Sequence, residues 1–280
     1  MAEIKLSAFS DEYAKDFEEQ LKGMASLGID FIELRHLDGK NISSLTHEEV
    51  KEAKKKMASF GIACSAIGSP IGKISLDGDK NEHLELAKRV FECACEMETP
   101  FVRMFSFYAP EKMDITQMKG QVLSSLESLV QLAEEYKITL CHENEALIYG
   151  DIPERCLEIL DYFDGRLSCV FDMGNFVLEG VEPFSAYEKM KKYIAYFHIK
   201  DALFEGAIVP PGKGEGKIFE ILDHHRKEAK QSFFVSLEPH LQTFSGLNAL
   251  VGRNFENPYQ YEDEKSAFVD AVTKFKELVL

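Results

Sequence analysis

Residues 138–175 read ITLCHENEALIYGDIPERCLEILDYFDGRLSCVFDMGN, with an apolar run at each end and a helical pattern between them. The runs Ile138–His142 and Leu167–Phe171 are short and apolar, which is typical of buried strands. Pro153 stands at a first-turn position and opens a predicted helix over Glu154–Phe163. A strand, a helix and a second strand in this order predict a βαβ unit with parallel strands.

The same alternation of strands and helices extends along the whole chain. Six further strands are predicted at Ile4–Phe9, Phe31–Leu34, Ile62–Ile67, Phe101–Phe105, Ile194–Ile199 and Phe233–Leu237. Further helices are predicted at Asp16–Leu27, Glu48–Phe60, Asn81–Met97, Thr116–Tyr136, Ser185–Lys192, Lys217–Lys227 and Asp263–Leu280. Eight such units in a chain of this length predict the α/β class and a single (β/α)8 barrel that forms one domain over residues 1–280.

An open doubly wound sheet is the alternative architecture. That fold prefers a glycine-rich phosphate loop directly after its first strand, where this sequence has Ser10-Asp11-Glu12. The glycine-rich segment PPGKGEG at residues 210–216 follows the seventh predicted strand instead. Its position is more typical of a loop that contacts a substrate than of a nucleotide-binding loop, so the barrel is favoured.

The composition excludes several classes of partner. The chain has 32 Lys+Arg and 48 Asp+Glu, a formal net charge of −16, which disfavours binding to nucleic acids and to anionic membranes. It has neither a signal-peptide pattern nor an apolar run of about 20 residues that would span a membrane. The six cysteines form no CxxC pair and are interpreted as reduced thiols. We therefore expect a cytoplasmic protein.

Acidic or imidazole side chains stand at the carboxyl ends of four successive predicted strands. One residue from each strand gives the set Glu143, Asp172, His198 and Glu238. A lone acid after a strand commonly caps a helix, but the strand ends of a (β/α)8 barrel converge on one face. Three carboxylates and one imidazole suit one divalent metal ion, with Mn²⁺, Mg²⁺, Co²⁺, Fe²⁺ and Zn²⁺ all compatible.

Five motifs together resemble the xylose-isomerase-like TIM-barrel superfamily, which includes the sugar phosphate isomerase/epimerase family. They are ENE (143–145), FDMGN (171–175), HIKD (198–201), PPGKGEG (210–216) and LEPH (237–240). The resemblance implies that the four strand-end residues hold one divalent metal ion. It also implies that Glu143 and Glu238 are catalytic and move a proton on either side of a reacting carbon. The implied activity is a metal-dependent isomerase or epimerase of a sugar or cyclitol, working through an enediolate.

Two alternatives stay open within this resemblance, namely a metal-dependent dehydratase of a keto-polyol and a non-catalytic barrel that binds a sugar. Keto-sugar epimerases of the superfamily often carry a histidine where this chain has Asn175, and an arginine where it has the stretch 202–204. Glu145, which is outside the ligand set, is a second candidate base.

Further polar residues near the strand ends are candidates for substrate binding. They are Arg35, Lys73, Arg103, Asn175, Lys200 and His240. An arginine at a strand end either pairs with a structural carboxylate or binds a substrate oxygen. The expected partner is a small-molecule sugar or cyclitol, with neither nucleic acid nor membrane, and the sequence is compatible with a monomer or a homo-oligomer.

Overall fold

The computed structural model describes residues 1–241 and 259–280 and contains a closed barrel of eight parallel strands. The strands are β1 (Ile4–Ala8), β2 (Phe31–Leu34), β3 (Ala63–Ile67), β4 (Phe101–Met104), β5 (Thr139–Glu143), β6 (Ser168–Asp172), β7 (Ile194–Ile199) and β8 (Phe233–Leu237). Each strand pairs with its neighbours along the chain, and β1 pairs with β8 to close the barrel. The predicted (β/α)8 barrel is confirmed.

Helices cover the outside of the barrel. They are α1 (Phe17–Ser26), α2 (His47–Ser59), α3 (Lys80–Glu96), α4 (Lys119–Glu135), α5 (Pro153–Phe163), α6 (Met173–Leu178), α7 (Pro183–Met190), α8 (Ile218–Glu228) and α9 (Glu264–Val279). Short 3-10 turns lie at Ser10–Glu12, Ile42–Ser44, Ile115–Gln117 and Lys191–Tyr193. Local signals agree with these bounds, since Thr46 and Glu49 form a capping box at α2 and Pro153 begins α5.

The alternation of side chains along each strand separates two apolar regions. Cys141, Val170, Tyr196 and Ala66 pack together inside the barrel. Leu140 belongs instead to the larger cluster between the strands and the helices. Because side chains two residues apart share a face, the inward position of Cys141 also turns Glu143 toward the barrel axis. The carboxyl ends of the strands therefore carry their functional side chains inward.

Two antiparallel hairpins and one helix were not predicted. Residues His36–Leu37 pair with Lys40–Asn41 after β2, and Asp201–Ala202 pair with Ile208–Val209 after β7. The helix α6 starts immediately after β6. All three lie at the carboxyl end of the barrel, where loops shape the candidate site. All six cysteines are free, and no helix among the described residues is long and apolar enough to cross a membrane.

Candidate metal centre

Four ligand-type side chains from four successive strands meet at the carboxyl end of the barrel. The set is Glu143, Asp172, His198 and Glu238, all buried, and one ligand atom from each lies within 4.8 Å of the others. Glu143 and Asp172 are the last residues of β5 and β6. The parallel ladder sets Asp172 opposite His198, while Glu238 directly follows β8. The structure thus brings together the four residues predicted as metal ligands.

The imidazole of His198 is held between carboxylates on both sides. Its Nδ1 lies 2.8 Å from Glu143 Oε1 and 3.4 Å from Glu238 Oε2, whereas its Nε2 lies 3.0 Å from Glu33 Oε2. The hydroxyl of Tyr196 donates to the other oxygen of Glu33, at 3.0 Å. Burial lowers the pKa of His198, but Glu143 and Glu33 raise it well above its usual value. Glu33 therefore orients the ring so that Nδ1 faces the other ligands.

Asp172 uses its two carboxylate oxygens for different purposes. Oδ1 accepts a hydrogen bond from the backbone N–H of Asn175 at 2.8 Å, which caps α6. Oδ2 faces the ammonium group of Lys200 at 3.2 Å. Burial raises the pKa of Asp172 to about 6, with Lys200 opposing this rise and Glu143 adding to it. The inward oxygen remains directed at the ligand cluster.

Three cationic side chains surround the ligand cluster and meet at Glu238. Arg35 Nη1 donates to Glu238 Oε1 at 2.8 Å, and Arg103 Nη1 lies 3.5 Å from the same oxygen. Lys200 Nζ lies 3.4 Å from Glu238 Oε2. Burial raises the pKa of Glu238, but Lys200, His240 and His198 together lower it well below its usual value. Glu238 is therefore ionised within a network of compensating charges.

The four ligand-type residues fit a divalent metal ion. The carboxylate oxygen Oε2 of Glu143 is buried without a hydrogen-bond partner, although Arg103 Nη1 lies 3.2 Å away. Ligand atoms that share one ion at about 2.1 Å lie at most about 4.2 Å apart, so the 4.8 Å spread needs only a small contraction. Three buried carboxylates repel one another, and a cation between them removes that cost.

A buried phenylalanine, Phe9, packs against the site. The ring of Phe9 contacts the edge of His198, with 5.1 Å between ring centroids, and both arginines lie over it. The guanidinium carbons of Arg35 and Arg103 are 4.4 Å and 5.0 Å from its centroid. A Cβ on Gly68 would lie 2.5 Å from this ring, so glycine is required for the ring to fit.

The residues predicted to bind substrate all lie near the cluster, but each already has partners within the chain. Lys73 Nζ donates to Glu145 Oε1 at 2.9 Å, which links the loops after β3 and β5. Asn175 donates to the carbonyl of Asn144 and accepts from Lys200. His240 is partly exposed and lies 3.1 Å from Glu12. Asn175, Lys200 and His240 line a mouth cavity of about 730 Å³.

Sequence reasoning assigned no role to several polar residues of the site. Glu33 lies in β2 and bonds His198. Asp11 and Glu12 hold Arg35 at 2.8 Å and 3.3 Å. The buried carboxylate of Asp201 accepts four backbone N–H bonds, three of them from the glycine-rich loop after β7. Glu33 and Arg35 find their partners in segments distant in sequence, whereas Asp201 binds the loop that follows it.

Comparison with known proteins supports the architecture. The family model for xylose isomerase-like TIM barrels matches residues 21–243. No curated protein sequence matches the chain. Among solved structures, the IOLI protein with a binding zinc atom has a TM-score of 0.73 at 19% identity, covering 98% of both chains.

Two further structures share the fold at low sequence identity. A probable 3-DHS dehydratase, AsbF, from Bacillus anthracis has a TM-score of 0.72 at 16% identity, covering 99% of both chains. D-psicose 3-epimerase with D-tagatose from Clostridium cellulolyticum H10 has a TM-score of 0.72 at 15% identity. It covers 98% of this chain and 97% of the epimerase. With the family model matching most of its length, the chain belongs to the xylose isomerase-like TIM-barrel family.

Proposed function

We propose that this protein is a divalent-metal-dependent isomerase or epimerase of a sugar or cyclitol that works through an enediolate. The observation that carries the proposal is the set of four buried ligand atoms, one from each of four successive strands, within 4.8 Å of one another. The family supports it, and so does the shared fold with D-psicose 3-epimerase. A bound divalent ion would polarise the substrate carbonyl and make the adjacent proton more acidic.

Glu143 and Glu238 are the proposed proton carriers. Burial raises the pKa of Glu143, but His198 and Arg103 lower it to about 2, and the pKa of Glu238 also lies well below its usual value. Both carboxylates are therefore ionised, and because a low pKa makes a carboxylate a weak base, proton transfer would depend on their position beside the substrate carbon. They come from β5 and β8, which are separated in the barrel by β6 and β7, so a substrate carbon between them would face a carboxylate on each side.

Glu145 is the alternative base. It lines the mouth cavity and pairs with Lys73, and it belongs to no ligand cluster among the described residues. Glu145→Gln and Glu143→Gln separate the two assignments when metal content is measured together with proton exchange. If Glu143 is the base, Glu145→Gln retains measurable exchange, whereas Glu143→Gln loses exchange by about a hundredfold or more.

Proton exchange in heavy water tests the proposed reaction. The protein is loaded in turn with Mn²⁺, Mg²⁺, Co²⁺, Fe²⁺ and Zn²⁺, then incubated with ketoses, aldoses and inososes. Proton NMR is recorded after the metal is removed. We expect deuterium to enter next to the carbonyl, with formation of an isomer or epimer. Glu238→Gln abolishes this exchange and weakens metal retention, whereas the exposed-residue variant Glu135→Gln leaves both unchanged.

A metal-dependent dehydratase is the second candidate, because the chain also shares its fold with a probable 3-DHS dehydratase. The same spectra distinguish the reactions, since dehydration gives an unsaturated or deoxy product while isomerisation retains every hydroxyl group. A metal-loaded protein that binds a sugar and catalyses neither exchange nor water loss across the panel would be a sugar-binding barrel instead. That result would contradict the enzymatic proposal.

A further inference from the structure

Among the described residues, the lysine and arginine side chains around the ligand cluster are engaged by carboxylates of the same chain. Arg35 contacts Asp11, Glu12 and Glu238, at distances between 2.8 and 3.3 Å. Arg103 lies 3.2 Å from Glu143. All three side-chain nitrogens of Arg35 donate to these carboxylates, and Arg103 Nη2 donates to the Gly68 carbonyl at 3.2 Å. Neither arginine therefore presents the free pair of N–H groups that bidentate binding of phosphate or carboxylate requires.

The two lysines at this end of the barrel are engaged in the same way. Lys200 lies 3.2 Å from Asp172 and 3.4 Å from Glu238, and it is buried. Lys73 lies 2.9 Å from Glu145 at the rim, and its ammonium group also sits 4.3 Å from the centroid of the Phe105 ring. Each ammonium group is thus neutralised before any substrate arrives.

Among the described residues around the ligand cluster, carboxylates outnumber lysine and arginine side chains. Six carboxylates form the ion pairs just described, and Glu33 adds a seventh beside His198, against four lysine and arginine side chains. One divalent ion, with His198 bound to it as a neutral ligand, reduces this excess from three negative charges to one. An anionic substrate would therefore find no net positive charge among these residues, whereas the hydroxyl groups of a neutral polyol would find many hydrogen-bond acceptors.

The backbone amides after β7 lead to the same conclusion independently. In many (β/α)8 barrels the loops after strands seven and eight bind a phosphate group. Here the loop after β7 folds around the carboxylate of Asp201, which accepts from the N–H groups of Gly212, Gly214 and Gly216 at 2.8, 2.9 and 2.9 Å. A Cβ on Gly214 would lie 2.3 Å from this carboxylate. An internal anion occupies the amides that could have bound an external one.

From these two observations we infer that the site selects an uncharged polyhydroxy ketone and rejects its phosphorylated or carboxylated relatives. The inference rests on the proposed function for the reaction itself and adds the chemical class of the substrate. It uses only side chains and amides in residues 1–241 and 259–280. The described cations and amides near the site are already bound to carboxylates of the chain. The additional negative charge of a phosphate or carboxylate group on a substrate would therefore find no partner among them.

Binding measurements with matched ligands test this class. The metal-loaded protein is titrated calorimetrically with free ketohexoses and inososes, and with the phosphate monoesters and uronates of the same ketoses. We expect the tightest ligand to be uncharged and to bind at least about tenfold more tightly than its charged derivatives. A charged derivative that binds more tightly than its parent sugar would overturn the inference. So would a panel in which no uncharged member binds.

A variant that releases one cation provides the positive test. Glu145→Gln leaves Lys73 without its carboxylate, and the matched control is Glu135→Gln on the exposed face of α4. We expect Glu145→Gln to improve the affinity for phosphate monoesters relative to the free sugars by about tenfold, and the control to leave that ratio unchanged. An unchanged ratio in Glu145→Gln would contradict the idea that internal pairing excludes anions.

The outcomes also separate this inference from the proposed function. Proton exchange on a phosphate monoester would support the proposed isomerase or epimerase reaction and contradict the inference that the substrate is uncharged. Tight binding of an uncharged polyol without proton exchange or water loss would support the inferred ligand class and contradict the proposed reaction.

Discussion

Glu33 is the residue whose replacement tests the construction of the metal centre most directly. Its carboxylate bonds His198 Nε2 at 3.0 Å and the Tyr196 hydroxyl at 3.0 Å, and it is fully buried. A hydrogen bond to a charged group contributes about 1.5–3 kcal/mol, compared with about 1 kcal/mol for a neutral one. Glu33→Gln keeps a neutral bond to His198, so we expect a loss of about 1.4 kcal/mol, or about tenfold in metal affinity.

The assay is a competition between the protein and a chromophoric chelator for Zn²⁺ and Mn²⁺, with circular dichroism to confirm folding. Tyr196→Phe is the matched control, because it removes the other hydrogen bond to Glu33 and keeps the contact with His198. We expect its metal affinity to change by less than about threefold. A folded Glu33→Gln protein with unchanged affinity would refute the positioning role, as would a Tyr196→Phe protein with an equally large loss.

Three other predictions concern stability and are read from denaturant titrations. Asp201→Asn replaces a carboxylate oxygen that accepts from two loop glycines, so it lowers the free energy of unfolding by about 3 kcal/mol. Gly72→Ala lowers the free energy of unfolding by about 2–3 kcal/mol, because the φ of Gly72 is +84° and a Cβ would lie 2.0 Å from the carbonyl oxygen of Phe105. Gly61→Ala is the control. The φ of Gly61 is +71° but no atom lies near its Cβ position, so this substitution lowers the free energy of unfolding by only about 1 kcal/mol. Burial among aromatic rings lowers the pKa of His225 to about 4, so the unfolded chain binds more protons between pH 6.5 and 4. The free energy of unfolding should fall as the pH falls through this range, and His225→Gln should make that fall smaller; an unchanged pH profile would contradict this reasoning.

The barrel and its ligands were predictable because both follow from local pattern and one geometric rule. The apolar runs identified all eight strands, and their parallel order sends every carboxyl end to the same face. One acid or imidazole from each of four successive strand ends is then sufficient to predict the cluster. Because side chains two residues apart on a strand share a face, Lys200 points inward on the same side as His198. The same rule could have predicted the contact between Lys200 and the ligand cluster.

The rest of the site depends on contacts between distant segments, which sequence pattern does not reveal. Glu33 and His198 are separated by 165 positions, and nothing near either residue indicates the pairing. The glycines of the loop after β7 indicated a turn near a ligand, whereas their amides bind Asp201. The short helix α6 was missed because six residues show too little periodicity, although Asp172 and Asn175 supply its cap.

The two carboxylate oxygens of Asp172 bind different groups, and this affects how a metal ion enters the site. One oxygen holds the first turn of α6 while the other faces the ligand cluster, so an arriving ion does not compete with the helix for the same atom. An arriving ion therefore replaces the Lys200 ammonium group at the second oxygen, without a folding step at α6. Association traces after rapid mixing should accordingly show one exponential phase whose rate rises in proportion to the ion concentration.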